Sequence, residues 1–362
     1  MPRKSALRRF ALSFAAATLL CAVAAAPTHL FAQQVAPAVG TLSASIQSPY
    51  HVIDRWKIGG EGGWDYLHAD PGAHRLYLAH GTRVDVVDTT TGKLIGAITG
   101  LHGVHGIALD TAGKFGYISD GGANAVVAFD RSALAVTATI PAGTGPDCIL
   151  FEPATKTVWA FNGRSRDISV INTSSNAVIA TIPLDGKPEF AVADGQGNVF
   201  DNLEDKSEIV RIDARTRAVT ATWPAGCDSP SGLALDIAGH RLFPVCDGRK
   251  MSVIDSTTGK LLANPSIGSG PDAAGWSAAH SLAFASSGDG ILSVVDAAGP
   301  GYPTIESLPT QRGARTMAYD PSTDRVYLVT AEFGPAPAAT PASPHPRPAV
   351  IPGSFSVLVV GR

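Results

Sequence analysis

Val84-Asp85-Val86-Val87-Asp88, followed at once by Thr89-Thr90-Thr91-Gly92-Lys93 and Leu94-Ile95, decides the fold. A short β-branched run closed by Asp is a strand entering a turn, and Gly92 supplies the positive φ that a tight hairpin needs. The pattern recurs at Val126–Asp130, Ile168–Asn172, Ile209–Asp213, Met251–Asp255 and Leu292–Asp296, and Thr257-Thr258-Gly259-Lys260 repeats the turn. Ahead of these runs lie earlier hairpins with Leu76-Tyr77-Leu78, Gly116-Tyr117-Ile118, Val158-Trp159-Ala160, Val199-Phe200, Leu242-Phe243 and Val326-Tyr327-Leu328. A sixth hairpin is degraded between Ser277 and Phe284. Behind the runs come fourth strands such as Val136–Ile140, Val178–Ile182, Val219–Trp223 and Thr304-Ile305.

The residue five places before the Asp, or its stand-in, that closes each first strand is always polar. The series is Asp65, His105, Asp147, Glu189, Ser231, Asp272 and Arg315, with steps of 40 to 43 residues. A repeat of about forty residues is the length of one four-stranded propeller blade. We therefore expect an all-β chain, a seven-bladed β-propeller of four-stranded blades over residues 50–362. Six fourth strands follow their blades; the seventh is expected from His51–Ile58, so that the N-terminal strand joins the last blade beside Phe355–Val360 and closes the ring. Closure protects sheet edges that an open array exposes. A Pro- and Ala-rich insertion, 333–353, interrupts the last blade between its second and third strands, and its composition favours an extended loop, either over the channel mouth or passive at the surface.

Composition agrees with this class. Hydrophobic residues make up 45% and charged residues 16%, with 38 Gly and 26 Pro. The net charge of −3 gives no basic footprint for nucleic acid, which we do not expect as a partner. Arg3, Lys4, Arg8 and Arg9 precede an apolar run from Phe10 to Ala26, the pattern of an export signal over residues 1–32, with cleavage after Ala24 or Ala32 and either the general or the twin-arginine route. Residues 33–49 read as a linker. No other run reaches a membrane span, so the mature chain is expected to be periplasmic or secreted, and a monomer.

An oxidising compartment permits disulfides. Cys227 enters the first strand of the fifth repeat and Cys246 ends its second, so a hairpin brings them to one end; a disulfide is the leading expectation, with free buried thiols or a soft-metal site as alternatives. Cys148, beside Ile149-Leu150-Phe151, is expected to be a small buried hydrophobe.

Strand-Asp-x-Thr-Thr-Gly-Lys repeats, Val-Ile-Asp strands and Pro-Ala-Gly or Gly-Pro-Asp junctions resemble the YVTN-repeat (YncE-like) seven-bladed propellers exported by bacteria, over roughly Tyr50 to Arg362. The resemblance implies the fold; propellers host unrelated activities. Gly63–His68, His102–Gly106, Gly186–Phe190 and Gly313–Met317 depart from that family's plain junctions, and all four stretches fall on the polar series.

Polar residues line any water-filled channel, and Arg315 flanked by Asp272 and Asp65 can be read as a salt-bridge network. The sharper expectation is a ligand site at the mouth formed by Asp65, His105, Asp147, Glu189, Ser231, Asp272 and Arg315. A second ring from the ends of the second strands, His80, Asp120, Asn162, Asn202, Cys246, Ser286 and Thr330, is expected around the same mouth. Imidazole with carboxylate suits a divalent transition metal, and the candidate ligands are His68, His102, His105 and Glu189. In this reading the protein binds a small molecule, a metal ion or a peptide; the alternative is a metal-assisted, lactonase-like hydrolase or lyase with His105, Glu189 and Arg315 as catalytic groups. A Ser hydrolase is disfavoured, because Ser231 lacks a Gly-x-Ser-x-Gly elbow.

Overall fold

The computed structural model describes residues 49–338 and 348–362. The expected export signal, all but the last residue of the linker, and the centre of the insertion lie outside them.

Seven antiparallel sheets follow one another along the chain. Blade 1 consists of Trp64–Asp70, Arg75–His80, Arg83–Asp88 and Lys93–Ile98, ordered from the axis outward, and blades 2 to 6 repeat it. In blade 7, Met317–Asp320, Arg325–Thr330 and Ser356–Gly361 are completed on the outside by His51–Lys57, with Trp56 opposite Val357 and His51 opposite Gly361. The ring is closed by the chain's own beginning, as the repeat count implies. Inner strands of neighbouring blades touch all the way round, including blade 7 against blade 1.

Each blade packs its apolar face on the next. Tyr77 and Val86 of blade 1 meet Ile118 and Phe129 of blade 2, and Tyr327 and Val329 of blade 7 meet Leu76 and Leu78 of blade 1. All eight are at most 3% exposed, and burying one such side chain contributes about 1.5–3 kcal/mol. At the outer hairpins the Asp that ends the third strand folds the turn itself: the Asp88 carboxylate accepts from the backbone N–H groups of Thr90 and Thr91 at 2.9 and 2.8 Å, and Asp130, Asn172, Asp213 and Asp255 do the same. Gly92 and Gly259 take the left-handed position; in blades 2 to 4 Leu134, Asn176 and Arg217 occupy it at φ 54°, 50° and 58°, at some local strain.

Two blades differ from the plain repeat. In blade 5 the third strand breaks into Lys250–Met251 and Val253–Asp255, because Pro244 on the strand opposite has no N–H to give the ladder. Blade 6, which looks degraded in sequence, is regular: Pro271–Ser277 pairs with Leu282–Ser287, and its buried face is made of small residues, Ala273, Gly275 and Ser277. Cys227 and Cys246 form a disulfide with Cα atoms 5.9 Å apart. Cys148 is free and buried, and its sulfur accepts from the Ala191 N–H at 3.3 Å.

Candidate functional site: the channel mouth

Six of the seven polar positions sit in β-bulges. The pairing of the inner strand with its neighbour slips between Trp64 and Leu67, Val104 and Ile107, Pro146 and Ile149, Pro188 and Ala191, Pro230 and Leu233, and Pro271 and Ala273. Asp65, His105, Asp147, Glu189, Ser231 and Asp272 fall inside these slips, and Arg315 precedes the inner strand of blade 7. A bulge re-aims side chains that a regular strand holds against its neighbours, and one repeats at the same level in six blades.

Blades 1 to 3 place their polar residues together. His105 Nδ1 lies 2.6 Å from Asp65 Oδ2 and 3.5 Å from Asp147 Oδ1, and one ligand atom from each of the three lies within 4.8 Å of the others. The bond to Asp65 raises the imidazole pKa; burial opposes this and Asp147 reinforces it. Burial drives the Asp147 carboxyl up to about 6, with His105 pulling it down and Asp65 pushing it up. Glu189 is raised to about 7 by burial and by Asp147, against the pull of Lys187, whose ammonium is 2.8 Å away and also bonds Glu204. Asp272 is raised to about 7 by burial although Arg315 stands 3.1 Å from it, and Asp65 and Asp147 add to the rise. Four carboxylates thus share one concave end with Arg315, Lys187 and His105, and at neutral pH some of them hold protons.

Directly under this ring two aromatic side chains meet across the axis. Tyr66 of blade 1 and Phe190 of blade 4 meet edge to face with centroids 4.9 Å apart. The residues at the same level in the other blades are Gly106, Cys148, Gly232, Ala273 and Thr316, small enough for two large rings to fill the bore. The Tyr66 phenol is held protonated, first by burial and then by the charges of Asp272, Asp147, Glu189 and Asp65. Beyond this pair lies a largely apolar cavity of about 270 Å3 lined by Ile107, Leu109, Ile149 and Phe151, among others.

The ring carbonyls are held from the preceding blade. The Thr316 hydroxyl donates to Asp65 O at 2.9 Å, Ser119 Oγ donates to Asp147 O, Asn202 Nδ2 donates to Ser231 O at 2.7 Å, and Ser286 Oγ donates to Arg315 O. These side chains fix the bulges, and they change the reading of the second ring. Asn202 and Ser286 do not end their strands level with the other members; Leu203 and Ser287 do, opposite Pro188 and Pro271. Asn162 and Asn202 are wholly buried, as are His80, Asp120, Cys246, Ser286 and Thr330 at 1% exposure or less. Asn162 bonds Asp167 and Ser169 of its own blade. The second ring braces the mouth and does not face its solvent.

The four residues expected to ligate a metal are not brought together. His68 lies three residues deeper along the inner strand, lines the apolar cavity, and is held neutral by burial with its pKa lowered to about 4. His102 stands outside the bulge with its side chain 68% exposed, bonded to Asp120. Glu189 is engaged by Lys187. His105 alone belongs to the compact group, where Asp65 and Asp147 join it. Ser231 donates to Pro271 O and Val245 O at 2.9 and 3.2 Å and faces the seam between blades 5 and 6. Sequence reasoning missed Tyr66, Phe190 and Lys187, although each stands next to or two residues from a ring position in the stretches that depart from the family pattern.

Fold and site together define a closed seven-bladed propeller with an acidic, histidine-bearing mouth over an aromatic pair. Three solved structures share the architecture: a chain of the hydrazine synthase of Kuenenia stuttgartiensis, with 15% identity and a TM-score of 0.65 over 74% of this chain and 92% of that one; U3-55K, 11% and 0.68 over 85% and 98%; and the WD40 repeats of RRP9, 11% and 0.70 over 86% and 97%. At such identities the likeness is one of fold. No protein-family profile matches the chain, and no curated protein does.

Proposed function

We propose that this chain is an exported member of the YVTN-repeat group that binds a divalent cation at the channel mouth through Asp65, His105 and Asp147. The observation that carries this is the convergence of two carboxylates and one imidazole from three consecutive blades, with one ligand atom of each within 4.8 Å of the others. Nitrogen with two oxygens suits manganese, iron or zinc better than a purely oxygen-liganded ion such as calcium. Thr316 and Ser119 fix the backbone of the two carboxylate ligands from behind, and outer-shell support of this kind sharpens a metal site. The strand-ending turns Asp88–Lys93 and Asp255–Lys260, both Asp-x-Thr-Thr-Gly-Lys, support the family, and the basic-then-apolar N-terminus supports export.

Glu189 favours a second reading, in which the same mouth does chemistry. A carboxyl with a pKa of about 7 is suited to proton transfer at neutral pH, and His105 and Arg315 lie on the same ring, as a metal-assisted hydrolase or lyase requires. Titration of the chelator-treated protein with Mn2+ and Zn2+ by calorimetry tests the first reading. One equivalent is expected, with affinity reduced at least tenfold in Asp147→Asn; absence of saturable binding by the wild-type chain overturns it. Turnover of a lactone or ester panel only by the loaded protein, abolished in Glu189→Gln, is the outcome that selects the second.

A further inference from the structure

A cavity of about 530 Å3 opens at the same mouth, beside the ring and between blades 6, 7 and 1. Its volume is that of a small-molecule site. Among the described residues, the charged ones lining it are Arg312 and Arg315, and no acid lines it. Arg312 is exposed and has no carboxylate within ion-pair distance among the described residues. Its backbone is nonetheless fixed, because Arg312 O accepts from the Thr330 hydroxyl at 2.9 Å. Arg315 shares its charge with Asp272. Arg312, without an ion-pair partner among the described residues, and Arg315, shared with Asp272, leave net positive charge facing the cavity, the complement of an anion.

Part of the wall is aromatic. Trp64 is packed between Phe333 and Phe355, with ring centroids 6.0 and 5.5 Å away. Its indole N–H is buried with no partner among the described residues. Phe333 and Val350 come from the two described arms of the insertion, which a backbone bridge ties together, and both line the cavity. The insertion therefore builds a wall of this cavity, an outcome its composition alone left open. Glycines complete the lining. A Cβ on Gly63 would meet nothing within 4 Å, and its φ is not in the left-handed region, so the space beside it is empty and the backbone tolerates a side chain.

We propose that this cavity is a subsite for a small aromatic carboxylate, with the carboxylate across Arg312 and Arg315 and the flat apolar body against the wall that Trp64 and Phe333 form together. A guanidinium fork matches a carboxylate in two parallel hydrogen bonds, and cation and aromatic walls together select an anion with a planar body over either feature alone. Arg315 belongs both to the ring and to this cavity, so the bound acid lies next to the Asp65–His105–Asp147 group. The subsite does not require that group to hold a metal.

Calorimetry on the full chain with chelator present tests this with indole-3-acetate and benzoate as probes, and benzamide and benzylamine as the neutral and cationic controls. Saturable binding of at least one acid is expected, with both controls at least tenfold weaker. Arg312→Gln, a change at an exposed side chain, is expected to weaken the acid at least tenfold, and Gly63→Leu, which fills the empty space, to abolish it. No binding of either acid, equal binding of benzylamine, or wild-type affinity in Arg312→Gln overturns the proposal. Because metal is absent throughout, these outcomes are independent of cation binding at the ring, which is scored separately by titrating Mn2+ into the same proteins.

Discussion

Tyr66 of blade 1 and Phe190 of blade 4 close the propeller's axis, touching edge to face at 4.9 Å between centroids. Blades that are far apart around the ring are thereby joined through its centre, and the mouth becomes a blind cup with a phenol at its base. Edge-to-face pairs contribute about 0.5–1.5 kcal/mol beyond burial.

Phe190→Ala is expected to destabilise the chain by about 2–3 kcal/mol, less than emptying a fully buried aromatic position because Phe190 is only partly buried. Gly106, Gly232 and Ala273 at the same level have no side chain to move in. Urea denaturation measures this, and a loss below about 1 kcal/mol would show that the ring is not a packed plug.

Stability should fall as pH rises through neutrality. The folded carboxyls of Glu189 and Asp272 lose their protons near 7 and Asp147 near 6, whereas unfolded carboxyls do so near 4. The folded state holds protons that the unfolded state has released, so the stabilisation is full below about pH 4 and is lost as pH climbs through the folded values. A two-unit shift corresponds to about 3 kcal/mol for one group, and mutual repulsion among the three prevents simple addition. His68, lowered to about 4, acts in the opposite direction, but only below about pH 6.5. Urea midpoints of chelator-treated protein should therefore decline between pH 6.5 and 8, less steeply in Glu189→Gln. A rising midpoint across that window would contradict the burial of these carboxyls.

Thr316→Val removes the hydroxyl that holds Asp65 O while keeping the shape of the side chain. Metal affinity is expected to drop about tenfold, the scale on which outer-shell partners act, with the stability loss near 1 kcal/mol. Thr316→Ser should restore the affinity. A purely structural role would lower the urea midpoint and leave metal affinity unchanged.

The Cys227–Cys246 disulfide closes a short loop at the broken third strand of blade 5. Replacing Cys227 by Ser together with Cys246 by Ala is expected to cost about 2–4 kcal/mol, and reductant should lower the wild-type urea midpoint comparably. A midpoint insensitive to reductant would show that the loop holds without the bond.

Much of this was legible beforehand because a propeller repeats its solution. The Asp that ends each third strand makes its own turn from local hydrogen bonds, so Asp88, Asp130 and Asp255 announce themselves wherever they stand. Closure by His51–Lys57 was legible because a fourth strand was owed to the last blade. Asn202 was misplaced by one residue because register depends on the bulge in the adjacent inner strand, and His68 was assigned to the mouth because three residues along a bulged strand change both depth and direction. Blade 6 looked degraded because small residues carry little strand propensity; its neighbours supply the packing that its own sequence does not announce.

The sequence by itself determined the number of blades, the closure of the ring and the polar series, since each rests on periodicity, and it brought Cys227 and Cys246 to one end of a hairpin without deciding that they bond. Only the tertiary structure decided that Asp65 and Asp147 converge on His105, that Tyr66 meets Phe190, and that Phe333 and Val350 face Arg312 and Arg315. Those neighbours lie tens to hundreds of residues apart. They are set by the angle between blades and by how far each bulge turns its side chain out of its strand, and the spacing of the repeats fixes neither.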